Sequence, residues 1–189
     1  MYCYKEKPEK LKTECVIDPE GDKKLRLYLS LGAVGLAAVL AAIGCIFVPI
    51  TQLYDVGGVG RFILRAVLIV VMAAAYYFVH ELAHSVVLKR LTGDTTRIVF
   101  EKYHARCVSD TAFTLKGYLI YCFAPVVIIG VVLLILNIVL PDKFFWQVYI
   151  IQIINIAGAA GEFYATYRLI KEKKELAVLD DGEKLAYWT

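Results

Sequence analysis

Val79-His80-Glu81-Leu82-Ala83-His84-Ser85 reads H-E-L-A-H inside a run that is otherwise strongly apolar. On a helix, residues four apart leave the same face, so His80 and His84 can both grip one ion. Glu81 follows one step round the helix, where its carboxylate can reach a water held at that ion and act as general base. Two imidazoles, a carboxylate and an open position make zinc the expected metal. A solvated helix face produces the same letters by chance, but this one lies in a membrane-length apolar run. Each charge at the centre of such a run costs roughly 2.5–3.5 kcal/mol to insert, so ionisable groups there are functional candidates by default.

The composition explains the setting. Of 189 residues, 59% are hydrophobic, which is more apolar surface than a water-soluble domain of this length can bury. Mean hydropathy is +0.61. Four long apolar runs account for it, so the expected fold class is an all-α membrane protein, a bundle of about four transmembrane helices. The net charge of +3 is modest, and the cations cluster in loops and tails. That pattern orients a chain in a bilayer rather than binding nucleic acid. Five cysteines without a C-x-x-C require no oxidising compartment. Cys45 and Cys122 read as small core residues, and His104 with Cys107 as a chance pairing.

Taken in order, residues 1–26 form a polar tail that cannot make a core and is too long and acidic for the start of a cleaved signal peptide. Residues 27–167 are the transmembrane domain, with spans at about 27–49, 62–88, 117–140 and 144–167; residues 168–189 are a charged tail. Gly32, Gly35 and neighbouring alanines offer small surfaces for helix packing in the first span. Gly57, Gly58 and Gly60 mark a turn. Thr95 to Phe100 and Ala105 to Val108 have the composition of a short hairpin. Its edge could hold an extended substrate by strand addition. Pro125 marks a kink in the third span, and Trp146 reads as an interfacial anchor. Tyr76 and Tyr77 share the histidine side of the second span and read as packing or substrate contacts. Lysines and arginines concentrate before span one, in 89–116 and after span four, which predicts a multi-pass protein of the cell membrane with both termini cytosolic.

Two histidines need a third partner. The longer H-x-x-G-x-x-H continuation is absent, since Val87 and Arg90 stand where its glycine and histidine would be. Asp94 and Glu101 are weak candidates in a polar loop. Glu162 is the better one, because it lies in the fourth apolar run. Spans two and four run in the same direction, and His80 and Glu162 each fall roughly 18 residues, about 27 Å, past the outer end of their span. Asn155, Gly158 and Glu162 share a face in a continuous helix, and Gly158 and Gly161 would let that helix approach the second span. Asn155 suits an outer or substrate-orienting donor better than a ligand, an amide being a poor zinc partner.

The combination of His80-Glu81-Leu82-Ala83-His84, Ala124-Pro125, Asn155 to Glu162 and the tail around Val178-Leu179-Asp180 resembles the putative zincin peptidases. These are small bacterial multi-pass proteins akin to the site-2 protease family of intramembrane zinc metalloproteases. The resemblance covers roughly residues 79–181. It implies Zn2+ held by His80 and His84, Glu81 as catalytic base, and a third ligand at the position of Glu162. The family's usual residue there is aspartate, so the longer carboxylate is a departure. The activity implied is peptide-bond hydrolysis in membrane-embedded or membrane-proximal substrates, so the partners are a membrane protein or peptide and the bilayer, with no nucleic acid. Two other readings stay open. One is a catalytically inactive membrane scaffold whose structural metal takes a fourth protein ligand from Asp94, Glu101 or His104. The other is a small ion or proton transporter using buried His and Glu.

Overall fold

The computed structural model describes residues 2–4, 14–18, 21–54, 57–93, 97–100, 105–108, 111–172, 175–180 and 184–189. The elements in chain order are β1 (Cys3–Tyr4), β2 (Glu14–Ile17), α1 (Lys23–Phe47), α2 (Thr51–Tyr54), α3 (Val59–Thr92), β3 (Arg97–Phe100), β4 (Ala105–Val108), β5 (Ala112–Thr114), α4 (Leu115–Val139), a 3-10 turn (Asp142–Phe144), α5 (Phe145–Gly158), α6 (Ala160–Glu172), β6 (Ala177–Asp180) and β7 (Leu185–Trp188). The chain is mostly helical. Four helical segments are long and apolar enough to cross a membrane: Lys23–Phe47, Val59–Thr92, Leu115–Val139 and Asp142–Glu172. Large apolar side chains such as Val34, Ile46 and Val70 are exposed on α1 and α3, a surface that lipid tolerates and water does not. These are the helices an all-α membrane bundle requires.

Local chemistry sets the helix ends. Asp22 caps α1, its Oδ1 accepting from the backbone N–H of Lys24 at 2.9 Å and Leu25 at 3.2 Å. Gly57 and Gly58 take positive φ of 79° and 130° just before α3, as the expected turn requires. At the other end of α3, Gly93 takes φ 76°, and its N–H donates to the Lys89 carbonyl at 3.0 Å. α4 runs through Pro125 as one helix. The last span, by contrast, is two helices. α5 stops at Gly158, Ala159 adopts φ −78° and ψ 11°, and α6 starts at Ala160. The continuous helix expected from 144 to 167 is therefore corrected, and the helical spacing linking Asn155 to Glu162 is interrupted.

The chain divides into two compact units. The first comprises Met1–Leu29, His80–Pro125 and Gly161–Thr189. Its centre is a five-stranded antiparallel sheet of order β1-β5-β6-β7-β2. Both terminal segments expected to be tails supply strands to it, β1 and β2 from the first and β6 and β7 from the last. In β2, Cys15 and Ile17 turn toward the core while Glu14 and Val16 are exposed, the two-residue alternation of a half-buried strand. Ile17, Phe113, Val178, Leu185 and Tyr187 pack with Leu88 of α3, Tyr118 and Tyr121 of α4 and Leu169 of α6. Polar staples secure the sheet: Tyr187 donates its O–H to Glu172 at 3.2 Å, and Lys184 pairs with Asp18 at 3.0 Å. The carbonyl of Tyr2 accepts from the Thr114 N–H at 2.9 Å; a Cβ on Gly117 would collide with that carbonyl. A separate two-stranded hairpin pairs β3 with β4, Val99 opposite Arg106, at the positions expected.

The second unit comprises Ser30–Val79 and Val126–Ala160. Ile129 and Leu133 of α4 pack on Val148 and Ile151 of α5, joined by Met72, Ala73 and Tyr76 of α3. Tyr76 is thus a packing residue. Trp146 is buried and donates Nε1–H to the Pro49 carbonyl at 3.1 Å, so it is an internal strut and not the expected interfacial anchor. Tyr149 donates its O–H to the Leu40 carbonyl at 2.8 Å. The expected small-residue contacts are also corrected: a Cβ on Gly32, Gly35, Gly158 or Gly161 would meet nothing within 4 Å. The glycine that matters is Gly44, where a Cβ would run into the Tyr149 ring, with Trp146 3.1 Å away. With Tyr149 anchored through its hydroxyl, the ring cannot swing aside. Gly44→Ala is expected to destabilise the protein by about 1–3 kcal/mol through overpacking, while Gly32→Ala, inside α1 with open space around it, is expected to leave it at least as stable. Thermal unfolding of the two variants in the same detergent checks this, and equal midpoints would remove the steric argument.

Candidate metal centre

Within the first unit, α3 and α6 bring three side chains together. His80 and His84 stand one turn apart on α3 and are both buried. Their ring centroids are 4.8 Å apart with the planes at 75°. Glu162 stands in the first turn of α6, where the helix N-terminus favours a carboxylate. Its Oε1 lies 3.3 Å from His80 Nε2 and 3.6 Å from His84 Nε2. One donor atom from each residue falls within 4.8 Å of the other two.

These separations suit a metal. With metal–nitrogen and metal–oxygen bonds of roughly 2.0–2.2 Å, tetrahedral ligand atoms lie roughly 3.3–3.5 Å apart. His80 Nε2 is within hydrogen-bond distance of Glu162 Oε1, with the donor set by the tautomer, while among the described residues Glu162 Oε2 is buried with no hydrogen-bond partner, which leaves an oxygen for a cation. If either histidine is neutral with its proton on Nδ1, its Nε2 lone pair faces the Glu162 oxygen, a repulsive arrangement unless a cation is shared. The donor set therefore fits Zn2+.

The walls of the site come from α4. The Tyr121 ring lies over His84, centroids 4.6 Å apart and tilted by 42°, and stacks on Phe113 at 5.2 Å. Cys122 is buried, its Sγ directed to the Glu162 carbonyl at 3.9 Å. Tyr121 went unread in the sequence, where only its place just before Ala124-Pro125 hinted at a role; Cys122 is the core residue expected.

The other candidates are placed differently. Glu81 is half-buried on α3 and does not belong to the three-residue donor group. Asn155 is fully buried in the second unit, its Nδ2 donating to the Val126 carbonyl at 3.0 Å. Asp94, Glu101 and His104 lie outside the described residues, as does the side chain of Cys107.

A family model described as "Putative zincin peptidase" matches residues 73–177. The match covers more than half of the chain and includes His80, Glu81, His84 and Glu162, and the chain belongs to this family. No curated protein matches the chain, and no solved structure matches it.

Proposed function

We propose that the protein is an intramembrane zinc metalloprotease, multi-pass in the cell membrane with both termini cytosolic. The observation that carries this reading is the gathering of His80, His84 and Glu162 donor atoms on two membrane-length helical segments. The orientation rests on the lysines and arginines before α1, around the hairpin and after α6.

His80, His84 and Glu162 would hold the ion. When bound, zinc supplies Lewis acidity, polarising the scissile carbonyl and lowering the pKa of water toward about 7. The remaining work belongs to the chain. Glu81 takes a proton from the attacking water as the new C–O bond forms, then delivers it to the amine nitrogen as the C–N bond breaks. Tyr121, lying over His84, restricts that ring to one orientation. A site carried on membrane-spanning helices is reached along the bilayer plane, so the substrates are membrane-embedded or membrane-proximal peptide segments.

The test uses full-length protein with zinc in liposomes, mixed with a solubilised membrane proteome, and maps new N-termini by mass spectrometry. Cuts in or beside apolar segments are expected, lost on chelation and restored by zinc. No cuts by zinc-loaded protein would overturn the reading.

The β3–β4 hairpin gives the substrate an edge to pair with. Its two strands bond only to each other among the described residues, leaving backbone groups available for strand addition. Val99→Pro removes one backbone N–H from β3 and is expected to lower cleavage several-fold with metal content unchanged. Cleavage at the wild-type rate would dismiss the hairpin as a substrate platform.

A further inference from the structure

The second unit contains a cavity of about 340 Å³ walled by the ends of α1 and α4, the 3-10 turn and the start of α5. That volume falls in the range of small-ligand sites. Asn137 and Gln152 line it, and Asn137 Oδ1 and Gln152 Oε1 are buried with no hydrogen-bond partner. A buried acceptor without a donor is unfavourable. The nearby Tyr149 hydroxyl cannot serve them, because it is committed to the Leu40 carbonyl. Among the described residues, Asp142 contributes the lining's single charge, and no lysine or arginine lines the cavity. The rings of Phe47, Phe145 and Tyr149 make up much of the wall.

We propose that this cavity binds an ammonium group carried on an apolar chain. An ammonium brings three N–H donors and a positive charge to two unpartnered amide oxygens and a carboxylate, and aromatic faces attract cations. An anion would meet Asp142 with no compensating cation. A hard metal ion wants six or more oxygens, and among the described residues three lining side chains, Asn137, Asp142 and Gln152, offer them. The apolar chain follows from Phe47 and Ile138, which line the cavity and are 71% and 74% exposed, so the site opens onto the apolar surface of the helices. The same chemistry comes from a free alkylamine or from the ethanolamine end of a phospholipid. None of these residues belongs to the metal donor group, so the proposal stands or falls apart from the protease reading.

The experiment uses full-length protein in two arms. In the first, dodecylamine is titrated into protein in phosphatidylcholine nanodiscs, with dodecanol as the neutral control. In the second, protein from bilayers of equal phosphatidylethanolamine and phosphatidylglycerol is examined by native mass spectrometry for retained lipid. Saturable amine binding is expected, weakened about tenfold or more in Asn137→Leu and Gln152→Leu, each of which removes a hydrogen bond to a charged group. Asp142→Asn, on the exposed turn, gives the same loss in a variant that does not touch the packed helices. Unchanged thermal midpoints show that the variants fold. Retained phosphatidylethanolamine that disappears in the variants identifies the lipid as the source; amine binding without it identifies a free amine. Equal binding of dodecylamine and dodecanol, or equal binding by wild type and all three variants, overturns the proposal.

Discussion

Glu81→Gln is expected to retain the metal and lose cleavage by about 10²–10⁴-fold, the range that positioned acid–base groups contribute. The expectation follows from placement. His80, His84 and Glu162 form the donor group without Glu81, so removing the Glu81 charge takes nothing from the ion. Glu81 is nevertheless the residue immediately after His80 on α3 and is half-buried, the position in H-E-x-x-H from which a carboxylate serves as general base in the proposed mechanism. A carboxamide is nearly the same size and accepts a hydrogen bond but cannot accept the proton. Metal content per chain and cleavage rate, measured on one preparation, separate the two effects. Cleavage within a few-fold of wild type would remove Glu81 from the mechanism. Metal loss in Glu81→Gln would instead make it a structural neighbour of the ligands.

What could be read from the letters divides along physical lines. The four spans were legible because membrane-length apolar runs are long, and their observed ends differ from the expected ones by a few residues. Glu162 was legible for a related reason: a carboxylate in an apolar run is expensive, and equal depth in parallel spans pointed it toward His80. The five-stranded sheet was not. Its strands have two to four residues each, too short for alternation to stand out. They are also assembled from three distant segments; Ile17 pairs with Leu185 near the other end of the chain, a contact that local pattern does not reveal. The break at Ala159 left an ambiguous mark: Gly158 can end a helix, but glycines and alanines without a proline suit a continuous, closely packed span equally well. Small residues misled in a different way. Gly158 and Gly161 stand in a motif that suggests close helix contact, yet a Cβ there meets nothing within 4 Å, whereas the unremarked Gly44 lies against two aromatic rings. Composition shows where a backbone can approach another, and only the fold decides where it does.

The resemblance implies an aspartate where this chain has Glu162, and variants of Glu162 carry the second large expectation. Glu162→Ala leaves two imidazoles without a carboxylate and is expected to weaken zinc binding by more than about 100-fold, since changes outside the first coordination layer alone cost 10–100-fold. His84→Ala should do the same. Glu162→Asp is the informative change. It withdraws the oxygen by about one carbon–carbon bond, roughly 1.5 Å, from a position now 3.3 Å and 3.6 Å from the two Nε2 atoms. α6 begins only two residues earlier, at Ala160, and its Ala165 and Leu169 are buried in the core of the first unit. The helix start therefore cannot slide forward to restore the distance, and aspartate should bind metal more weakly than glutamate but more tightly than alanine. Competition with a chromophoric chelator, alongside metal analysis of purified protein, ranks the three. If Glu162→Ala kept one tightly held zinc per chain while His84→Ala lost it, the third ligand would have to come from elsewhere in the chain. Aspartate equal to glutamate would mean that the start of α6 yields, and that the longer side chain is not what sets the geometry of this centre.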